Sequence, residues 1–149
     1  FEEMTRADWD RVVDVNLGGV FNVTKTFFED VRTAEDGRLI NISSVVGQQG
    51  NIGQANYATT KSGLFGFTRT LALELAHTGS TANCVAPGFV KTDMLDEVPE
   101  RVQEKILREI PLDRFARVED IAGIVRFVAS EESSYMTGQV LGVNGGMEW

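Results

Sequence analysis

The chain has 149 residues, 42% hydrophobic and 24% charged, which is the make-up of one folded domain and excludes a wholly disordered, collagen-like or low-complexity chain. Its 22 acidic residues against 14 basic ones leave a formal charge of −8; such a field repels phosphate backbones and anionic headgroups, so neither nucleic acid nor a membrane is expected as a partner. No apolar run approaches the roughly 20 residues of a membrane helix.

The chain opens at Phe1 without an initiator Met or a leader, so its start reads as a cut within a longer sequence. Thr5, with Asp8 three residues on, marks a helix start. Apolar residues then recur at Trp9, Val12, Val13, Leu17, Val20, Phe27 and Val31, which predicts one long amphipathic helix ended by Asp36-Gly37. Asn16 shares the stripe of Val12, Val13 and Val20. A polar amide there must find partners, as a satisfied core Asn or as part of a relay. The pair Gly18-Gly19 costs about 1 kcal/mol per residue relative to Ala and predicts the close approach of another backbone or a ligand.

Residues 38–42 then read as a short strand, 47–54 as a Gly/Gln/Asn-rich loop, and 56–77 as a helix with a stop at Gly79. Residues 81–85 form a second strand, followed by Pro87-Gly88 and a polar loop. An amphipathic segment (Val102, Ile106, Ile110), the Pro111 break, a helix over about 118–129 and a strand over 140–143 complete the chain. This alternation predicts an α/β fold, with a parallel sheet and helices on both faces, as in half of a doubly wound domain. The single cysteine, Cys84, reads as a buried small hydrophobe, and with no disulfide framework a reducing cytoplasm is expected. No metal site is expected. His77 is expected to face solvent, and Phe21, Phe27, Phe28, Phe65 and Phe67 to serve as core or subunit contacts.

Tyr57 and Lys61 stand four residues apart on one helix face. An ammonium beside a phenol stabilises the phenolate, which makes a tyrosine usable in proton transfer. A two-residue pattern is weak alone, since an exposed helix pair looks the same. Ser44 lies thirteen residues upstream, at the end of the first strand. In a parallel sheet that end opens on the ligand crevice, where a serine can donate to a carbonyl oxygen. The alternative for Ser43-Ser44 is a turn pair that caps the next segment.

Asn16, Ser44, Tyr57 and Lys61 together resemble the catalytic tetrad of the short-chain dehydrogenase/reductase family. The resemblance extends over residues 13–17, 41–47, 57–63, 83–92 and 137–146, in that order, and covers essentially the whole chain. It is closest to the 3-oxoacyl thioester reductases: the 3-oxoacyl-carrier-protein and acetoacetyl-CoA reductases. It implies a Rossmann-like, doubly wound sheet, with Ser44 holding the ketone oxygen, Tyr57 delivering the proton, and Lys61 tuning Tyr57 and holding the nicotinamide ribose. Asn16 would anchor a relay water. Pro87, Gly88, Val90 and Thr92 would orient the nicotinamide of NADPH, with NADH as the alternative. Asn51, Ile52, Gln54 and Phe89 would line the acyl pocket, and a homotetramer is implied.

Nothing in the chain matches the family's phosphate turn T-G-x-x-x-G-x-G, because the glycines of residues 47–53 follow Ser44 and lie in the wrong loop. By family comparison, roughly the first hundred residues are lacking and residues 1–149 form the carboxyl-terminal catalytic part of one domain. Two readings follow: part of an intact reductase, or an inactive or partner-dependent piece. A dehydrogenase for another alcohol or ketone is a further alternative. Ala34-Glu35-Asp36 and His77-Thr78 stand where carrier-protein-dependent relatives often carry basic residues, and residues 47–54 look more like the acetoacetyl-CoA reductases, so a CoA thioester is expected over an acidic carrier protein.

Overall fold

The computed structural model describes residues 1–148. The Thr5 hydroxyl accepts the Asp8 N–H at 3.1 Å, and the Asp8 carboxylate accepts the Thr5 N–H at 3.0 Å. This capping box opens α1 (Arg6–Val13). The predicted single long helix is interrupted: Asp14–Gly18 forms a π-helical turn before α2 (Gly19–Thr33) continues. A π turn holds one extra residue and shifts the apolar stripe by only a fraction of a turn, so hydrophobic spacing does not register it. The expectation for Gly18-Gly19 is not met within the chain, because a Cβ on either residue would meet open space. The pair flanks the junction between the π turn and α2 instead.

Three strands, β1 (Arg38–Ile42), β2 (Thr81–Pro87) and β3 (Val140–Val143), form a parallel sheet in the order β1-β2-β3. Ile40 stands opposite Asn83, and Cys84 opposite Val140. β2 runs two residues beyond the predicted end, since Ala86 and Pro87 pair with Gly142 and Val143. Between β1 and β2 lie α3 (Val45–Gln49) and α4 (Ala55–Leu75). The stretch 47–54 is therefore a loop only beyond Gln49: its first residues belong to α3, which Ser44 caps and which Gly50 ends at φ 79°. After β2 come α5 (Asp93–Asp96), α6 (Glu100–Glu109) and α7 (Val118–Ala129).

Side chains alternate between the faces of the sheet. On one face, Leu39 and Ala82 pack with Leu71, Ala72 and Leu75 of α4, and Asn41 donates to the Thr68 hydroxyl at 2.9 Å. On the other face, Asn83 donates to the Met136 carbonyl at 2.8 Å and accepts the Gln139 N–H at 3.1 Å. It thereby ties β2 to the segment that follows α7, and α7 itself packs on β1 and β2. Leu64 and Leu75 are fully buried, and each such burial stabilises the fold by about 2 kcal/mol. Of the five phenylalanines, two meet the core expectation and two are exposed. Phe28 and Phe67 pack against the core cluster, whereas Phe21 and Phe27 on α2 are each 56% exposed. Among the described residues no helix is long and apolar enough to cross a membrane.

The start of α7 is held by Asp120. Its carboxylate accepts from the Arg114 guanidinium at 2.7 Å and from the Arg117 N–H at 2.8 Å. The Arg114 hydrogen bond, seconded by the Arg117 amide, holds the carboxyl well below the usual range. A carboxyl whose pKa is depressed on folding contributes stability that is complete above its unfolded value, about 3.9, and drains away as pH falls toward the folded value. The urea midpoint difference between the wild type and Asp120→Asn is therefore expected to stay constant down to about pH 5 and to shrink below about pH 4. A difference unchanged down to about pH 3 would contradict this assignment.

Candidate active site

β1 delivers Ser44 to the carboxyl end of the sheet. Ser44 is extended and only 9% exposed, and its Oγ accepts the Val46 N–H at 3.2 Å as the N-cap of α3. The capping role and the chemical role are compatible. The cap uses a lone pair on Oγ and leaves the hydroxyl proton free to donate to a carbonyl oxygen.

Tyr57 and Lys61 follow on the first turns of α4. The Lys61 Nζ lies 5.6 Å from the centroid of the Tyr57 ring, within reach of a cation–π contact, and donates to the Ile42 carbonyl at 3.0 Å. Burial pushes the Lys61 ammonium below its ordinary value. The start of α4 is anchored by Asn56, which spacing alone does not single out. Its Oδ1 accepts the Tyr57 N–H at 2.8 Å, and its Nδ2 donates to the Asp8 carbonyl of α1 at 3.0 Å. The only advance signal is a polar residue immediately before Tyr57.

Asn16 sits in the π turn, where its Nδ2 donates to the Val12 carbonyl at 3.1 Å. Ser44, Tyr57, Lys61 and Asn16 line one cavity of about 580 Å³. The chain leaving β2 forms another wall through Gly88, Phe89, Val90 and Thr92. Pro87 ends β2 and is not part of the lining. Gln54 and Phe89 line the cavity, but Asn51 and Ile52 do not. Ile52 is 96% exposed, and Asn51 meets the rim through Gln54, donating to its Oε1 at 2.8 Å and accepting its N–H at 3.2 Å. The loop turns outward here because Gly50 and Gly53 both adopt φ 79°. The apolar wall comes instead from Met94, Leu95, Val98 and Ile106, on and around α5 and α6. Their signal in the sequence is a set of apolar residues in an otherwise polar stretch that directly follows Thr92.

The model of the family described as enoyl-(acyl carrier protein) reductase matches residues 1–148. A 3-oxoacyl-[acyl-carrier-protein] reductase of Thermotoga maritima is 49% identical over 97% of this chain and 58% of its own length. The counterpart in Aquifex aeolicus is 49% identical over 99% of this chain and 59% of its own length. An acetoacetyl-CoA reductase of Cupriavidus necator is 48% identical over 99% of this chain and 60% of its own length. The chain belongs to the short-chain dehydrogenases/reductases. It spans about three fifths of the length of these curated relatives, and its three-stranded sheet is a partial Rossmann-like fold.

The family's nicotinamide cofactor can be tested against the residues of this short-chain dehydrogenase/reductase chain. The cavity is lined by Lys61, by Gly88, Phe89 and Val90, and by Thr92. An ammonium and a hydroxyl in one cavity fit the polar groups of a nicotinamide nucleotide. Cys84, fully buried on β2, has its thiol pushed up by burial, as an inert core residue should.

The capping role of Ser44 is open to direct measurement. Without any substrate, Ser44→Ala is expected to lower unfolding stability by about 1 kcal/mol through loss of the α3 cap, measured by urea denaturation. Unchanged stability would remove the capping role.

Proposed function

We propose that residues 1–149 are the carboxyl-terminal catalytic part of a reductase that converts a 3-oxoacyl thioester to the 3-hydroxyacyl thioester with NADPH. The observation that carries this reading is the convergence of Ser44 and of the Tyr57–Lys61 pair on one cavity. Two hydroxyl donors there can meet one carbonyl oxygen. Ser44, its lone pair engaged by Val46, donates its proton to the ketone oxygen and orients it. Tyr57 gives up its proton to that oxygen as negative charge develops. Lys61 stabilises the resulting phenolate and binds the nicotinamide ribose, while Asn16 holds a water that returns a proton to Tyr57. Gly88, Val90 and Thr92 would orient a nicotinamide, which would supply the hydride, with Pro87 fixing the end of β2.

Met94, Leu95, Val98 and Ile106 give the acyl chain an apolar wall, with Phe89 and Gln54 beside them. Acidic residues at Glu35 and Asp36 favour a CoA thioester over an acidic carrier protein. Val23 and Phe27, one turn apart on α2, are each more than half exposed, and this apolar patch supports self-association.

Steady-state kinetics on the full protein test the proposal. The value of kcat/KM is expected to be higher for acetoacetyl-CoA than for a carrier-bound 3-oxoacyl chain. Tyr57→Phe is expected to reduce turnover by about a thousandfold or more, with an unchanged circular dichroism spectrum. Retained activity in Tyr57→Phe would overturn the assignment of the proton donor, and a preference for the carrier-bound substrate would overturn the CoA assignment.

A further inference from the structure

Ser43, the residue before Ser44, is 4% exposed and is not part of the cavity lining. Its Oγ donates to the Lys61 carbonyl at 2.7 Å, across eighteen residues of sequence. Its N–H donates to the Val85 carbonyl of β2 at 2.7 Å. Ser43 thus binds the sheet with its main chain and the catalytic helix with its side chain. The return contact runs the other way, because the Lys61 Nζ donates to the Ile42 carbonyl at 3.0 Å. Two antiparallel hydrogen bonds, a short distance apart, join the end of β1 to the same residue of α4.

A second observation locates the same seat independently. Gly47 of α3 is pressed on the Lys61 main chain: a Cβ there would lie 2.8 Å from the Lys61 carbonyl carbon and 2.9 Å from both the Lys61 Cβ and the Ser62 nitrogen. That approach fixes how close α4 sits, and the Ser43 hydroxyl fixes its position along the helix. Beneath them Thr68 accepts from Asn41 at 2.9 Å, and both residues are buried. The floor under Lys61 is therefore polar and buried, and such directional bonds tolerate little sliding.

We propose that Ser43 is a positioning residue: through its hydrogen bond to the Lys61 carbonyl it sets the placement of Lys61 over Tyr57, and with it the spacing between Ser44 and the Tyr57–Lys61 face. This inference rests on the reductase reading for its effect on rate, but not for its effect on Lys61. A displacement of about 1 Å in such a constellation costs on the order of a hundredfold in rate. Loss of one hydroxyl, with the Lys61 carbonyl still inside α4, gives a smaller shift.

The test uses the full protein as wild type, Ser43→Ala and Gly47→Ala. Competitive acetylation followed by peptide mass spectrometry reads the reactivity of Lys61 against the exposed Lys25, Lys91 and Lys105 as internal references. Ser43→Ala is expected to raise the relative labelling of Lys61 by about threefold or more. It is also expected to lower kcat/KM for acetoacetyl-CoA about tenfold, with a melting temperature within about 4 °C of the wild type. In the alcohol-oxidising direction, its pH–rate profile shifts to higher pH. Gly47→Ala loads the same contact from the opposite side and is expected to change Lys61 labelling as well, so the seat is tested even if one variant folds poorly. The proposal is overturned if Lys61 labelling is the same in all three proteins, or if lost activity tracks lost folded protein while the pH profile stays fixed. A wild type that reduces no ketone, but whose Lys61 labelling responds to Ser43→Ala, upholds the positioning role and overturns only the reductase reading.

Discussion

The rest of the site depends on how α4 is seated on the end of β1. Lys61 is held there on three sides: its ammonium by the Ile42 carbonyl, its own carbonyl by Ser43, and its main chain by the missing side chain of Gly47. The seat decides where Tyr57 stands, since Tyr57 is one turn earlier on the same rigid helix. It also decides where Ser44 stands, because Ser44 lies two residues beyond the end of the strand on which the seat is built. Parallel strands leave their carboxyl ends open. A helix docked across that opening places its first turns beside the next residue of the strand, and the chemistry follows from this docking.

The interior beneath the site is unusually polar. Asn41, Ser43, Thr60, Thr68 and Asn83 are all buried, and Asn41, Ser43 and Asn83 each bridge elements distant in sequence. Such groups are costly when unpaired, so they enforce one arrangement of strand and helix where apolar residues would permit several. Apolar packing of Leu71, Ala72 and Leu75 against Leu39 and Ala82 holds α4 to the sheet farther from the site. One end of α4 is fastened by dispersion and burial, and the other by directional bonds.

Much of this was legible in the sequence. The strands at 38–42 and 140–143 and the helix at 118–129 announce themselves by β-branched runs, turn residues and apolar periodicity, and the observed bounds agree. Strand ends and helical spacing left the grouping of Ser44, Tyr57 and Lys61 open to other readings, and the resemblance to the short-chain dehydrogenases/reductases singled it out. Other features had no local signature. The π turn at Asn16 changes the backbone hydrogen bonds without changing the order of apolar residues. The outward turn of Asn51 and Ile52 depends on two glycines with positive φ, which composition alone cannot distinguish from glycines packed under a neighbour. The apolar wall from α5 and α6 and the Asn56 bond to Asp8 are tertiary contacts, and nothing in their immediate sequence records the partner.

The central claim is that this cavity brings proton donors to the oxygen of a ketone, so that hydride adds to the carbon bearing that oxygen. Isotope transfer tests it most directly. The full protein is incubated with acetoacetyl-CoA and NADPH doubly deuterated at the nicotinamide C4, and the product is analysed by NMR. The account predicts one deuterium on the carbon that carries the new hydroxyl. Deuterium on any other carbon, or none transferred, would contradict it.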